Sequence, residues 1–208
     1  MEEIEEKPSL GRKIYIAAAL FLILVVLPAG SWIYLRNGLN WRKTAVAELS
    51  NYGKIRGAYV IWPDQTKEDL LKKKVVVVHS FGENPDLTAD NRKIIDTGQK
   101  LFSQFGQNTY FRLAMISNKG TSEFLSYAQT LPSSEYATWV WTGGLGSWST
   151  ILQNSYESYC LAEKVSPAKE YYALADTSGT IRRFYDALDD KQVERMVQHI
   201  AILLPPSE

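Results

Sequence analysis

Four consecutive valines, Val75-Val76-Val77-Val78, constrain this chain more than any other stretch. A strand with one wet face alternates apolar and polar residues. An unbroken β-branched run instead suits a strand buried on both faces, as in a mostly parallel sheet covered by helices. The run continues into His79-Ser80-Phe81-Gly82 and then into a loop and a helical pattern. In such sheets chemistry sits beyond the carboxyl ends of the strands, so residues 79–90 are the first place to look for a site.

The rest of the pattern agrees with an α/β reading. Ala58 to Trp62 reads as a strand stopped by Pro63, and Thr66 can cap a short helix through Leu71. After the valine strand, Ile94, Ile95, Leu101, Phe102 and Phe105 recur at helical spacing, with Gly106 as the stop. Tyr110 to Ile116 is a second apolar strand, Thr121 opens a helix, and Thr138 to Trp141 is a third strand. Trp148, Ile151, Leu152 and Tyr156 mark another helix. Asp176-Thr177-Ser178-Gly179 then joins two strands as a β-hairpin. Asp189-Asp190 can cap a closing helix that carries Val193, Met196, Val197 and Ile200. A βαβ half followed by a ββα half, with helices on both faces, is a thioredoxin-like arrangement: a central mixed sheet flanked by helices.

Ahead of this domain, residues 14–35 hold no charged side chain. Twenty-two helical residues reach about 33 Å at roughly 1.5 Å each, enough to cross a bilayer core. Tyr15, Trp32 and Tyr34 stand near the ends, where amphipathic rings favour the interface. The run exceeds the apolar region of a cleaved signal peptide, and Pro28-Ala29-Gly30-Ser31 is a poor cleavage site. The expected organisation is a polar tail (1–13), a single transmembrane helix (14–35), a juxtamembrane linker (36–54), the thioredoxin-like domain (55–204) and a short tail (205–208). Basic residues flank the span on both sides, so charge barely orients it. The short leading tail favours an exported domain.

Net charge is zero, from 23 basic and 23 acidic residues, so no global field points to nucleic acid. One cysteine, Cys160, excludes an intramolecular disulfide, a CxxC redox pair and a cysteine zinc cluster. A lone cysteine in a compact domain usually packs as a small buried hydrophobe.

Three features together resemble the Sco/SenC family of copper-handling cytochrome oxidase assembly proteins. They are the N-terminal anchor, the strand 75–81, and the ending Tyr172-Ala-Leu-Ala-Asp-Thr-Ser-Gly-Thr-Ile-Arg-Arg-Phe-Tyr-Asp186 with its amphipathic helix. The resemblance spans residues 55–204. It implies copper held by a CxxxC pair directly after the central strand and by a distal histidine, because lowered-pKa thiolates with an imidazole suit that metal. Here the strand leads into Phe81-Gly82-Glu83-Asn84-Pro85-Asp86-Leu87, without cysteine, and the family's histidine falls near Ala168. The cis-proline of redox-active thioredoxin relatives would fall at Glu170. No catalytic, metal or cofactor residue carries over, and no cofactor is expected.

Two sets of residues remain as candidates. His79, Glu83 and Asp86 form a vestigial site loop that could in principle hold a hard metal or a proton-transfer pair. Glu83 and Asp86 also suit turn and N-cap roles. Trp139, Trp141 and Trp148 form a candidate interaction surface, since residues i and i+2 share one strand face. Gly143-Gly144-Leu145-Gly146 has neither phosphate-loop spacing nor a following Lys-Ser/Thr, and His199 reads as a cation near a helix C-terminus. The resemblance with an emptied site implies a non-enzymatic assembly factor or small subunit of a respiratory, cytochrome oxidase-type complex. It implies a place in a bacterial inner membrane with the domain in the periplasm. The alternatives are a metal-binding or redox-related protein using the 79–90 loop, and a structural subunit bound mainly through its anchor.

Overall fold

The computed structural model describes residues 10–55, 59–61, 67–69, 73–82, 85–117, 121–128, 137–141 and 146–205. The side chains of residues 10, 12, 13, 59–61, 67–69, 125, 137–141 and 146–149 lie outside that description. Two compact units are present, residues 1–45 and 46–208.

The first unit is helical. Helix α1 (Leu10–Phe21) passes through a π-helical turn, Leu22–Val26, into α2 (Leu27–Ala47). Pro28 accounts for the widened turn. It has no N–H to give to the carbonyl four residues back, and its ring presses on that carbonyl. The Leu27 N–H bonds instead to the Leu22 carbonyl, five residues back. From Ile14 to Ala47 the helix is apolar enough over a long enough window to cross a membrane, and that window is not buried against the protein. The 34 residues cover about 51 Å, more than the roughly 30 Å of a bilayer core. Residues 36–47 continue the helix.

The second unit holds a five-stranded sheet in the order β5-β4-β3-β6-β7. Strands β3 (Val75–Ser80), β4 (Phe111–Ser117) and β5 (Ala137–Trp141) are parallel. β6 (Tyr171–Ala175) runs antiparallel to β3, and β7 (Ile181–Asp186) antiparallel to β6. Helices α3 (Ala89–Phe105), α4 (Ser122–Ala128), α5 (Gly146–Glu163) and α6 (Asp190–Leu203) complete the unit.

The valine run does what its sequence demands. Val76 and Val78 pack with Ala173, Phe184 and the α5 residues Leu152 and Tyr156. Val75 and Val77 pack on the other face with Ile94 and Leu101 of α3 and Met196 and Ile200 of α6. Consecutive strand residues point to opposite faces, so a strand sandwiched between two helical layers must be apolar throughout. All four valines are at most 1% exposed. Cys160 sits in the first of these clusters as a buried thiol.

The hairpin signal at residues 176–179 is held by one carboxylate. Asp176 Oδ1 accepts from the Ser178 N–H (2.8 Å), the Ser178 hydroxyl (2.7 Å) and the Thr180 N–H (3.1 Å). Its Oδ2 pairs with Arg182 at 2.6 Å. Burial alone would raise this carboxyl's pKa, but the donors from Ser178, Arg182 and Thr180 outweigh it and hold the pKa below its ordinary value.

One expectation changes. The short helix over 66–71 is replaced by β2 (Lys67–Asp69), which pairs antiparallel with β1 (Tyr59–Ile61) in a separate two-stranded sheet. A single helical turn has little stability by itself, and the ladder to β1 satisfies the backbone instead. Residues 48–55 also bind as an extra edge beside β7. Ser50 N–H reaches the Arg182 carbonyl (3.1 Å), Tyr52 N–H the Ile181 carbonyl (3.0 Å), and Ile181 N–H the Gly53 carbonyl (2.9 Å).

Candidate functional site

The site lies where β3 ends, as the topology requires. The Phe81 N–H still reaches the Ile116 carbonyl (2.8 Å), and Gly82 then turns the chain with a φ of 77°. That left-handed conformation is unstrained only for glycine. Helix α3 begins beyond the loop with Thr88 as its N-cap, its Oγ1 accepting from the Asn91 N–H at 3.1 Å. The capping role open to Asp86 thus belongs to Thr88. Asp86 is exposed, and its backbone carbonyl accepts from the Asn91 side chain (2.6 Å) and the Thr88 N–H (2.9 Å). Glu83 lies outside the described residues.

His79 turns inward, to different partners. It is 1% exposed and packs edge-on against Phe81, with ring centroids 4.5 Å apart. Its Nδ1 is 2.9 Å from the Tyr171 carbonyl oxygen. A carbonyl only accepts, so Nδ1 carries the proton and Nε2 of the neutral ring is a lone-pair acceptor. Burial pushes the imidazole pKa down to about 4, which keeps it neutral; the Tyr171 bond offsets only part of that shift. Nε2 has no hydrogen-bond partner, and the Glu170 carboxylate stands 3.7 Å from it.

Glu170 is the residue that sequence reasoning missed as a participant. Its position carried a signal, since it falls where redox-active relatives place a proline. Its side chain is 24% exposed. Burial raises its carboxyl pKa, an effect that Lys169 opposes and Asp90 reinforces. Lys169 offers little relief, because its ammonium is bound to Asp90 of α3 at 2.7 Å.

Glu170 and Tyr171 border a cleft of about 520 Å³ between the end of β3, α5 and the segment leading into β6. Tyr156 and Tyr171 stack in its wall, centroids 3.9 Å apart, and Phe81 and Pro167 complete the apolar part. The Tyr156 hydroxyl accepts from the Ala168 N–H at 2.5 Å, which fixes the entry to β6. Among the described residues, Glu157 and Glu170 are the cleft's carboxylates.

The donor set does not fit the copper site that the Sco resemblance implies. The loop after β3 has no cysteine, Cys160 is buried in α5, and Ala168 stands near the expected histidine position. Among the described residues no three His, Cys, Asp or Glu side chains converge as a metal site.

Trp139 and Trp141 pair through the backbone with Met115 and Ser117 at the β5 edge, and Trp148 lies in the first turn of α5. Their side chains lie outside the description, so the proposed aromatic surface is placed only at the level of the backbone. His199 is no exposed terminal cation. It is fully buried, with Nδ1 2.7 Å from the Tyr185 hydroxyl and Nε2 3.5 Å from Glu48.

Comparison with solved structures places the architecture. BsSco, a member of the Sco family of cytochrome c oxidase assembly proteins, superposes with a TM-score of 0.53 at 13% identity, over 76% of this chain and 97% of that one. The domain has a thioredoxin-like fold. A Chlorobium tepidum protein assigned as the thiol:disulfide interchange protein DsbE gives 0.51 at 11% identity, over 76% and 99% of the two chains. A SCO1/SenC family lipoprotein from Bacillus anthracis str. Ames gives 0.47 at 11% identity, over 71% and 92%. No family model matches the sequence, and no curated protein matches it. In this thioredoxin-like domain His79 and Glu170 meet at the end of β3.

Proposed function

We propose that this chain is a membrane-anchored, non-catalytic Sco-like protein that acts through protein contacts. It serves as an assembly or accessory factor, or a small subunit, of a respiratory cytochrome oxidase-type complex, with its domain on the periplasmic side of a bacterial inner membrane. The observation that carries this reading is the fate of the only thiol. Cys160 is buried in the α5 core, so the end of β3 has a Sco-type scaffold without its dithiol. Contact surfaces and the anchor helix are then the features left to work with.

Affinity purification of the full chain in mild detergent tests the reading. Co-purification of respiratory oxidase subunits is the expected result, and their consistent absence would overturn it. Copper titration of the same preparation tests the metal-binding alternative. Stoichiometric tight binding there, lost on His79→Ala, would replace the contact reading with a metal-handling one.

A further inference from the structure

The half-buried carboxyl of Glu170 shares its nearest cation with another carboxylate. Its neighbour on β3, His79, is buried and neutral, with its proton committed to the Tyr171 carbonyl. Its neighbour in sequence, Lys169, is held by Asp90 of α3. Across the cleft, α5 contributes another carboxylate, Glu157. Among the described residues no hydrogen bond reaches the Glu170 side chain, and the buried, unpartnered Nε2 of His79 lies 3.7 Å from it. The charged groups lining this cleft, among the described residues, are the carboxylates Glu157 and Glu170 and one cation, Lys169, which is paired with Asp90. A desolvated carboxylate in that position is relieved either by a proton or by a bound cation.

We infer that the cleft binds an organic cation, an alkylammonium or guanidinium group, with Glu170 as its counter-ion, His79 Nε2 as the fixed acceptor behind that carboxylate and Glu157 at the rim. Aromatic and apolar walls from Phe81, Tyr156 and Tyr171 suit the methylene stem and the charge of such a group better than a hydrated metal ion. The volume, about 520 Å³, lies within the range of small-ligand sites. An anion is disfavoured because it would face both glutamates, with Lys169 already paired. The cation can come from a free amine or from a Lys or Arg side chain of a polypeptide. The inference stands apart from the identity of the respiratory partner, since the cleft can bind a cation whether or not that complex co-purifies.

Binding is linked to pH. The cation takes the ionised form of Glu170, whose carboxyl titrates above its ordinary range. Acidification through that range sets a proton in competition with the ligand, so affinity falls as pH drops and binding releases a proton. His79 remains neutral until about pH 4, below which its own charge would also repel the ligand.

The test is calorimetry on the full chain in detergent micelles at pH 7.5 and 5.0, in two buffers of different ionisation enthalpy. The probes are n-butylammonium, neutral n-butanol, the tripeptide acetyl-Gly-Lys-Gly-amide, Zn²⁺ and inorganic phosphate. Butylammonium is expected to bind at least about tenfold more tightly than butanol, with proton release at the lower pH. Glu170→Gln is expected to weaken it about tenfold or more, as for loss of a charged hydrogen-bonding partner, and to remove the pH dependence. Glu157→Gln, at an exposed position, weakens it less and keeps the pH dependence. Tighter binding of the tripeptide assigns the source to a polypeptide, and equal binding assigns it to a free amine. Equal affinity for butanol and butylammonium, preference for phosphate or Zn²⁺, or indifference to Glu170→Gln would overturn the inference.

Discussion

Two buried histidines stand beside glutamates at nearly the same separation, 3.7 Å for His79 and Glu170 and 3.5 Å for His199 and Glu48. The surroundings of the two glutamates differ. Glu48 accepts from two nitrogens of one guanidinium, Arg195 Nη2 at 2.6 Å and Nε at 3.0 Å, while Arg183 lies 3.7 Å away. The Arg195 bond and the two guanidinium charges hold its carboxyl pKa below the ordinary value despite partial burial. Glu170 has no such donor, and burial raises its pKa. A carboxylate whose charge is met within the protein is a fastener. One left unmet beside a cleft is available to something from outside.

Acid should expose the first part of this contrast, and with the largest effect. His79 has a folded-state pKa of about 4 against an ordinary 6.5. The unfolded chain therefore takes up the proton first, and stability falls as pH drops from about 6.5 towards 4. At about 1.4 kcal/mol per unit the loss approaches about 3 kcal/mol. Glu170 has the opposite sign, because its raised carboxyl protonates first in the folded state and returns part of that loss. Denaturant melts of the full chain in detergent from pH 7.5 to 4 should show a net decline, which His79→Gln flattens. An unchanged slope in that variant would remove His79 as the cause.

The fastener can be broken in two ways. Gly53 holds a φ of +123°, and a Cβ there would meet Ser155 Oγ at 2.8 Å. Gly53→Ala should cost about 2 kcal/mol through backbone strain and that clash, loosening residues 48–55 from β7. Glu48→Gln should cost about 2 kcal/mol by removing the charged acceptor of Arg195. Hydrogen exchange at the Ser50 and Tyr52 amides would report both changes, and unaltered protection would count against them.

The matching change at the other pair should have the smallest effect and the opposite direction. In Glu170→Gln the amide can donate to His79 Nε2, and an unneutralised charge leaves a half-buried position. Stability at pH 7.5 should rise by about 0.5–1 kcal/mol. A loss as large as that of Glu48→Gln would mean that both glutamates are fasteners.

The sheet was legible because its constraints are local. Val75–Val78 must be buried on both faces, the α3 and α6 stripes repeat at helical spacing, and Asp176 to Gly179 carries its own turn chemistry. The pairing of His79 with Glu170 was not legible. It depends on β6 lying antiparallel to β3, with Val78 opposite Ala173, and on the chain just before β6 passing the end of β3. No spacing in the sequence encodes that. The same holds for residues 48–55, whose edge bonding to β7 uses backbone groups that every sequence possesses. At the helix start the sequence suggested Glu83 or Asp86 as the cap, and the fold uses Thr88.

The widened turn at Leu22–Val26 has a consequence for the anchor. One extra residue in a turn sets the following helix back by roughly 100°. Side chains that line up along α1 are therefore not collinear with those at the same spacing along α2. A neighbour packed along one half faces a different azimuth on the other, and a tryptophan scan through the span should trace two offset stripes instead of one.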